Sequence, residues 1–364
     1  MEKKRLIIFM PTIEDGGVKK NFFIISNFLS KKFDNVSVIT TSSNIRNKLD
    51  KKINLITSKF NFFENIGKRK KFFVCLLILL REIIFQKNTV VLSFQGNVYC
   101  ALLCWLMSVR VIIRANTSPS GWSKNKVKFY LYKFFYGIAD HLVVNSYEFS
   151  KELKKKFNLN PICIYNPLDV TNIKKLSNKK VRFNFFSKKF LNIICMSRLS
   201  IQKDHFCFLE AMKKIKNKIN FRVLFIGNGD QSNEIKKYVI NNKLTKNILI
   251  KNHMKNPFPY LKKSDVLILS SKYEGLPNVL LESLSIKKPV ISSDCPTGPK
   301  EILDNGLGGL LFKTGNVNDL IKKIIFFQKN LNKCKKKALY GHKRLSRFNS
   351  KKNLNKYVKL INSF

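Results

Sequence analysis

Short uninterrupted apolar runs recur along the chain, separated by polar turns and by stretches with helical period. Arg5–Met10, Val36–Thr40, Ile53–Ile56, Thr89–Ser93, Val109–Ile113, His141–Asn145 and Ile162–Tyr165 are the runs of the first half. Phe190–Met196, Val223–Ile226, Ile248–Ile250, Asp265–Ser270 and Pro289–Ser292 continue them. Such short runs, apolar on both faces, read as buried parallel strands. Helical patterns lie between them at Val18–Leu29, Phe72–Leu80, Lys126–Gly137, Phe206–Ile215 and Asn278–Ile286, and Val98–Met107 reads as a buried helix. Ser146 is placed to cap a further helix. Val317–Lys329, Lys333–Arg347 and Lys352–Ile361 read as the closing helices. The basic stretch Val170–Lys189 reads as a linker, and Gly306–Phe312 as a glycine-rich hairpin. The class is α/β, and 364 residues suit two domains of ordinary size.

One stretch, Ser264–Asp294, concentrates the candidate chemistry. The run Asp265–Ser270 feeds a polar loop, and Pro277 then opens a helix where its missing N–H costs nothing. Glu274 falls in the loop, at the carboxyl end of a strand, where open α/β sheets bind ligands. Glu282 falls in the helix and shares a face with Asn278, four residues earlier. Two carboxylates beside a helix N-terminus suit a polyhydroxyl ligand that also carries phosphate. Taken alone, the spacing fits equally a surface helix with solvated carboxylates.

Other stretches add to it. Arg198 and Lys203 follow the run Phe190–Met196, and a planar fork beside a mobile ammonium suits phosphate oxygens. Gly16 and Gly17 lie between the first strand and first helix, where backbone amides can approach a phosphate. Gly227 opens a G-x-G turn after Val223–Ile226.

Glu274-Gly275-Leu276-Pro277-Asn278-Val279-Leu280-Leu281-Glu282 resembles the E-x7-E signature of the retaining, nucleotide-sugar-dependent glycosyltransferases of family 4. Arg198 and Lys203 are similar to that family's R-x4-K diphosphate site, and Gly298 and Glu301 to the end of its pattern. The resemblance implies two Rossmann-like domains facing a cleft, the GT-B fold. It implies an acceptor-binding domain at 1–167, a nucleotide-sugar domain at 168–335 and a helical tail at 336–364 returning to the first, with Asn166-Pro167 at the hinge. Arg198, Lys203 and the Gly16-Gly17 amides would stabilise the leaving diphosphate. Glu282 would hold the ribose, and Glu274 the sugar hydroxyls, with Gly275, Leu276 and Asn278 in the same donor loop. His253 and Met254 would lie by the nucleobase, and Arg114 and Asn116 near the transferred sugar and acceptor. The implied reaction moves a hexose or N-acetylhexosamine, with retention, from a nucleotide sugar, UDP-linked, to a lipid-linked or surface-glycan acceptor, with no cofactor and no metal. The chain departs from the family in carrying Lys19 where an acidic residue is frequent, and in having no histidine beside Asn116. Two other classes stay open: a nucleotide-sugar 2-epimerase of similar fold, and a basic nucleic-acid-binding protein, although no nucleic-acid motif is visible.

The net charge of +47 is extreme, and the abundance of Lys, Asn, Ile and Phe points to a coding bias behind part of it. It implies attraction to an anionic partner, such as a membrane or phosphorylated substrates. Lys68-Arg69-Lys70-Lys71 precedes the apolar run Phe72–Leu80, and Lys124–Tyr136 is basic and aromatic. Both suit a surface that lies against anionic lipid. No run is long enough to span a bilayer, and MEKKRLIIFM lacks a cleavage-like site. None of the eight cysteines forms C-x-x-C, and most lie in apolar runs, as reduced buried thiols do. The expected place is therefore the cytoplasm, peripheral at the inner face of the membrane.

Overall fold

A computed structural model of the chain divides into two units, Met1–Pro167 with Ser350–Phe364, and Leu168–Asn349. The described residues are 4–14, 16–58, 67–84, 86, 88–116 and 126–364. Asp15, at the end of the first loop, and Lys124, at the head of the basic aromatic stretch, lie outside them.

The first unit holds a seven-stranded sheet: β1 (Arg5–Phe9), β2 (Asn35–Ile39), β3 (Asn54–Ile56), β4 (Thr89–Ser93), β5 (Arg110–Ala115), β6 (His141–Val144) and β7 (Ile162–Cys163). Their order is β3-β2-β1-β4-β5-β6-β7, and every neighbouring pair is parallel. Side chains alternate across the pleat. Leu6, Ile8 and Met10 meet Phe22, Ile25 and Leu29 of helix Gly17–Leu29, together with Leu354 and Tyr357 of helix Ser350–Asn362. Ile7 and Phe9 point the other way, toward Cys75, Leu79, Cys100, Cys104 and Phe149. A sheet buried on both faces needs apolar residues at every position, so these strands show no polar alternation.

The second unit repeats the plan with β8 (Leu191–Met196), β9 (Phe221–Ile226), β10 (Ile248–Lys251), β11 (Val266–Leu269), β12 (Val290–Ser293) and β13 (Leu310–Phe312). The order is β10-β9-β8-β11-β12-β13, again all parallel. In each sheet the winding reverses beside the first strand, between β1 and β4 and between β8 and β11. Ligands bind at the carboxyl ends of strands at such a reversal.

Several expectations are corrected. The segment expected as a bare linker contains helix Val170–Ser177, with the Asp169 carboxylate accepting from the Asn172 amide at 2.9 Å and Ile173 buried. The expected hairpin at Gly306–Phe312 is instead the parallel edge strand β13, with Leu310 opposite Ile291. Helices Ser232–Asn241 and Phe258–Lys263 were not anticipated. The chain rejoins the first unit at Ser350. Helix Leu331–Lys343 stays in the second, with Cys334 in its core. Helix Asn97–Leu106 buries only Cys100, Ala101 and Cys104 and leaves Tyr99, Trp105 and Leu106 exposed.

Candidate functional site

Strands β8 and β11 lie side by side, Ile193 opposite Val266, and the loops at their carboxyl ends emerge together. One carries Ser197-Arg198-Leu199 and a short 3-10 turn, Ile201–Lys203. The other runs from Ser270 to Pro277 and ends in helix Asn278–Ser285, with Pro277 as its N-cap.

Two backbone ties hold the Arg198 turn against the loop after β9, and a third joins the ends of β9 and β10. Leu199 N donates to Asn228 O at 2.9 Å, Gln231 N to Leu199 O at 2.9 Å, and Gly227 N to Lys251 O at 3.0 Å. The approach is too close for a side chain. A Cβ on Gly227 would lie 1.9 Å from Ser197 O, and one on Gly229 would lie 2.1 Å from Leu199 O. The G-x-G turn therefore serves as packing for the arginine loop. His253 is exposed, and its amide donates to Asn228 Oδ1 at 3.1 Å, which brings the β10 loop to the same rim, with Met254 beside it.

His205 underlies this turn, and the sequence reading had passed over it. The ring is fully buried. Its Nε2 lies 3.0 Å from Arg198 O and 3.2 Å from Ser197 Oγ. A carbonyl only accepts, so Nε2 carries the proton. Burial lowers the imidazole pKa from 6.5 to about 4; the Arg198 carbonyl opposes that shift, and the Lys203 charge adds to it. His205 is thus a neutral donor that fixes the Arg198 backbone. The only sequence signal was its place directly after Lys203-Asp204 and at the start of a helix.

The loops after β8 and β11 are joined by hydrogen bonds and two ion pairs, the looser being Lys272 with Asp204 at 3.9 Å. Lys272 N donates to Gln202 O at 2.8 Å, Gln202 Nε2 to Tyr273 O at 2.9 Å, and Ser270 Oγ to Lys203 O at 2.9 Å. Lys203 Nζ meets Glu274 Oε1 at 2.5 Å, and Ser271 Oγ donates to the same oxygen at 2.6 Å. Both side chains of the pair are largely buried. Thr297 Oγ1 donates to Glu274 O at 2.5 Å and pins the loop from the β12 side. Gly298 has φ +89°, and a Cβ there would come within 2.6 Å of Gly275 O and 2.7 Å of Pro277 Cδ. Both needs point to glycine. Leu276 is buried beneath the loop, and Glu282 lies on the following helix with 9% of its surface exposed. An open pocket of about 420 Å³ borders these loops, lined by Arg198, Ser200, Gln202, Gly229, Asp230 and Tyr273. Sequence reasoning had found Arg198, Lys203 and Glu274; it missed Gln202, Ser271 and Thr297, which fix them.

In the first unit, Gly16 (φ +138°) caps helix Gly17–Leu29, and both glycines are exposed. Gln95 Oε1 accepts from Thr12 N at 3.1 Å and Thr12 Oγ1 at 2.7 Å, joining the loops after β1 and β4. The placing of Arg114 as a group presented at a strand end is corrected. Strand β5 runs on to Ala115, and the Arg114 side chain is fully buried. Its Nε donates to Tyr357 Oη at 2.9 Å and its guanidinium to Asn166 Oδ1 at 2.6 Å and to Asn116 Oδ1. Phe94 lies under it, 5.4 Å from ring centroid to guanidinium carbon. Arg114 ties β5 to the returning helix. Asn116 is half-buried and donates to Phe94 O at 3.0 Å.

Residues 177–344 match the family described as Glycosyl transferases group 1. An uncharacterized glycosyltransferase of Methanocaldococcus jannaschii is 34% identical over 190 residues, 49% of this chain and 46% of that protein. The N-acetylgalactosamine-N,N'-diacetylbacillosaminyl-diphospho-undecaprenol 4-alpha-N-acetylgalactosaminyltransferase of Campylobacter jejuni is 26% identical over 234 residues, 62% of each chain. The chain thus spans about half to three-fifths of the length of these curated relatives. Among solved structures, Anabaena HepE in complex with UDP and glucose superposes with a TM-score of 0.79 at 15% identity, covering 99% of this chain and 100% of that one. That likeness shows the fold, two parallel α/β units of the GT-B kind.

Proposed function

We propose, from the premise that this chain carries a domain of the glycosyl transferases group 1, that it transfers a sugar with retention, as family 4 enzymes do. The donor is a UDP-linked hexose or N-acetylhexosamine, and the acceptor is a lipid-linked sugar or a growing surface glycan. One observation carries this reading: Arg198, Lys203 and Glu274 converge on the loops after β8 and β11, held there by the 2.5 Å Lys203–Glu274 pair. UDP and glucose in the similar Anabaena structure, and the undecaprenol-linked acceptor named for the Campylobacter relative, support the two substrate classes.

The bond between the anomeric carbon and the diphosphate oxygen breaks through an oxocarbenium-like transition state, and negative charge grows on the diphosphate. The backbone that carries Arg198 and the Lys203 ammonium are held in place before reaction, so the two cations stabilise that charge with little reorganisation, and no metal is needed. The amides of Gly16 and Gly17 have the same proposed role. The acceptor oxygen joins the same face of the anomeric carbon, and its proton leaves with the diphosphate. Glu274 orients sugar hydroxyls, and Glu282 accepts from the ribose. The amides of Gly275, Leu276 and Asn278 belong to the same donor loop, and the His253–Met254 backbone holds the base. Asn116 faces the acceptor, which the first unit binds. Such an enzyme works in the cytoplasm, at the inner face of the membrane.

The test is protection against thermal unfolding by a panel of nucleotide sugars and free nucleotides. UDP and one UDP-sugar should raise the midpoint, and Arg198→Ala should abolish the rise. Protection by no nucleotide at all would refute the reading.

A further inference from the structure

Helices Lys68–Ile83, Asn97–Leu106 and Lys126–Gly137 lie side by side on one face of the first unit's sheet. Phe72 packs over Gly96 at the head of the second helix, and a hydrogen bond joins Asn97 to Tyr136 of the third. Their inner stripes enter the core through Cys75, Leu79, Cys100, Cys104 and Tyr136. Their outer stripes are also apolar. Phe73 and Leu77 are four residues apart on the first, Trp105 and Leu106 end the second, and Tyr130 and Phe134 are four apart on the third. Trp105 is 54% exposed, Leu106 63% and Tyr130 65%. These three helices carry nine of the seventeen large apolar side chains exposed among the described residues. Scattered single residues of this kind need no explanation; a concentration on three adjoining helices does.

The charge on these helices is almost all positive, and at the head of the first Lys68 pairs with Glu14 at 2.6 Å. Arg69, Lys70, Arg81 and Lys133 are exposed on the same three helices. The one acidic residue in them, Glu82, is taken by Arg5 at 2.5 Å and Arg81 at 2.9 Å, which hold its pKa below the ordinary value despite burial. Helix Asn97–Leu106 carries no charge at all. A coding bias toward lysine explains a basic surface but not an uncharged helix with an exposed tryptophan and leucine. Aromatic and aliphatic tips ringed by basic residues match the boundary between acyl chains and anionic headgroups.

We propose that this three-helix face docks the first unit on an anionic lipid bilayer. Phe73, Trp105, Leu106 and Phe134 enter the acyl boundary, and Arg69, Lys70, Arg81 and Lys133 meet headgroup phosphates. The proposal rests on the reading that the acceptor is membrane-borne and deepens it by naming the surface. No helix among the described residues is long and apolar enough to cross a membrane, so attachment here is by one face.

The experiment uses the full chain with vesicles of phosphatidylcholine alone or enriched in phosphatidylglycerol. Binding to the anionic vesicles should fall steeply with salt. Arg69→Gln, Lys70→Gln and Lys133→Gln together should weaken it on the order of a hundredfold, at about fivefold per charge. Trp105→Ser with Leu106→Ser should weaken it by at least about tenfold, as burial of those two side chains is lost. In a Trp122→Phe background, the fluorescence of Trp105 should shift to the blue on binding and be quenched by brominated lipid. A parent that ignores anionic vesicles at low salt, variants that bind like the parent, or an unquenched Trp105 would each overturn the proposal. So would a parent that is a dimer in solution and becomes monomeric in the Trp105 and Leu106 variant, because the face would then be a self-interface. UDP protection is measured on every variant. Its retention with lost vesicle binding leaves the transferase reading intact, and its absence in the parent overturns that reading whatever the vesicles do.

Discussion

Replacing His205 by glutamine tests how the Arg198 turn is held. The imidazole is fully buried, and its pKa stands at about 4 against 6.5 for an ordinary histidine. Between those values the unfolded chain binds a proton that the folded chain does not. Stability from this group is therefore complete above about pH 6.5 and is lost as pH falls toward 4. A displacement of this size corresponds to ~3 kcal/mol in full, at about 1.4 kcal/mol per pH unit, and ~2 kcal/mol is already gone at pH 5. Protonation would also place a charge beside Lys203, so the loss falls on the loop that carries Arg198 and Lys203. Glutamine can still donate to Arg198 O but cannot titrate in this range. The assay is urea unfolding of parent and His205→Gln between pH 7.5 and pH 4.5. Glutamine should cost stability at neutral pH, from imperfect packing against Phe225, whose ring the imidazole meets edge-on at 5.5 Å. The gap between the two proteins should then close by ~2 kcal/mol on acidification to pH 5. Two curves falling in parallel would show that His205 is not the titrating group and would refute the reasoning.

Arg198→Ala and Lys203→Ala should each cost ~2–4 kcal/mol of transition-state stabilisation, like other lost electrostatic donors; near-normal turnover in both would remove them from the diphosphate site. Glu282→Ala should weaken affinity for free UDP, measured by calorimetry, whereas Glu274→Gln should lower transfer more than UDP binding. Equal effects of the two on UDP affinity would contradict the separation of roles. Gly229→Ala introduces a Cβ 2.1 Å from Leu199 O, so the turn must move; UDP protection should fall at least tenfold with a lowered unfolding midpoint, and an unchanged protein would show the turn to be slack.

Much of this architecture was legible because the sheets are buried on both faces. Each strand must then be a short apolar run, and such runs are found by composition alone. The motif positions were legible for a related reason. Ligand groups in this topology sit just past strand ends, so Arg198 and Glu274, the proposed ligand groups, stand out as polar residues shortly after apolar runs. The same rule misled at Arg114. One more pleat of β5 carries that residue inside the sheet, and sequence does not distinguish the last residue of a strand from the first of a loop. Helix Asn97–Leu106 misled in the opposite sense, since its uncharged sequence fits a helix buried all round as well as one with an uncovered outer face.

What stayed hidden were the residues that act through others, and they share a physical character. The side chains of His205, Ser271, Gln202 and Thr297 each donate to a backbone carbonyl or to a carboxylate already engaged. None needs a particular spacing in sequence, because partners such as Gln202 and Tyr273 are 71 positions apart. Their number explains why Lys203 and Glu274 can lie largely buried at 2.5 Å. A buried ion pair recovers the cost of desolvation only where its remaining donors and acceptors are satisfied. Ser271 supplies one such bond to the carboxylate, and Ser270, on the backbone carbonyl of Lys203, fixes the residue that carries the ammonium. On the proposed function, the pair is thus held in place before a diphosphate and a sugar arrive.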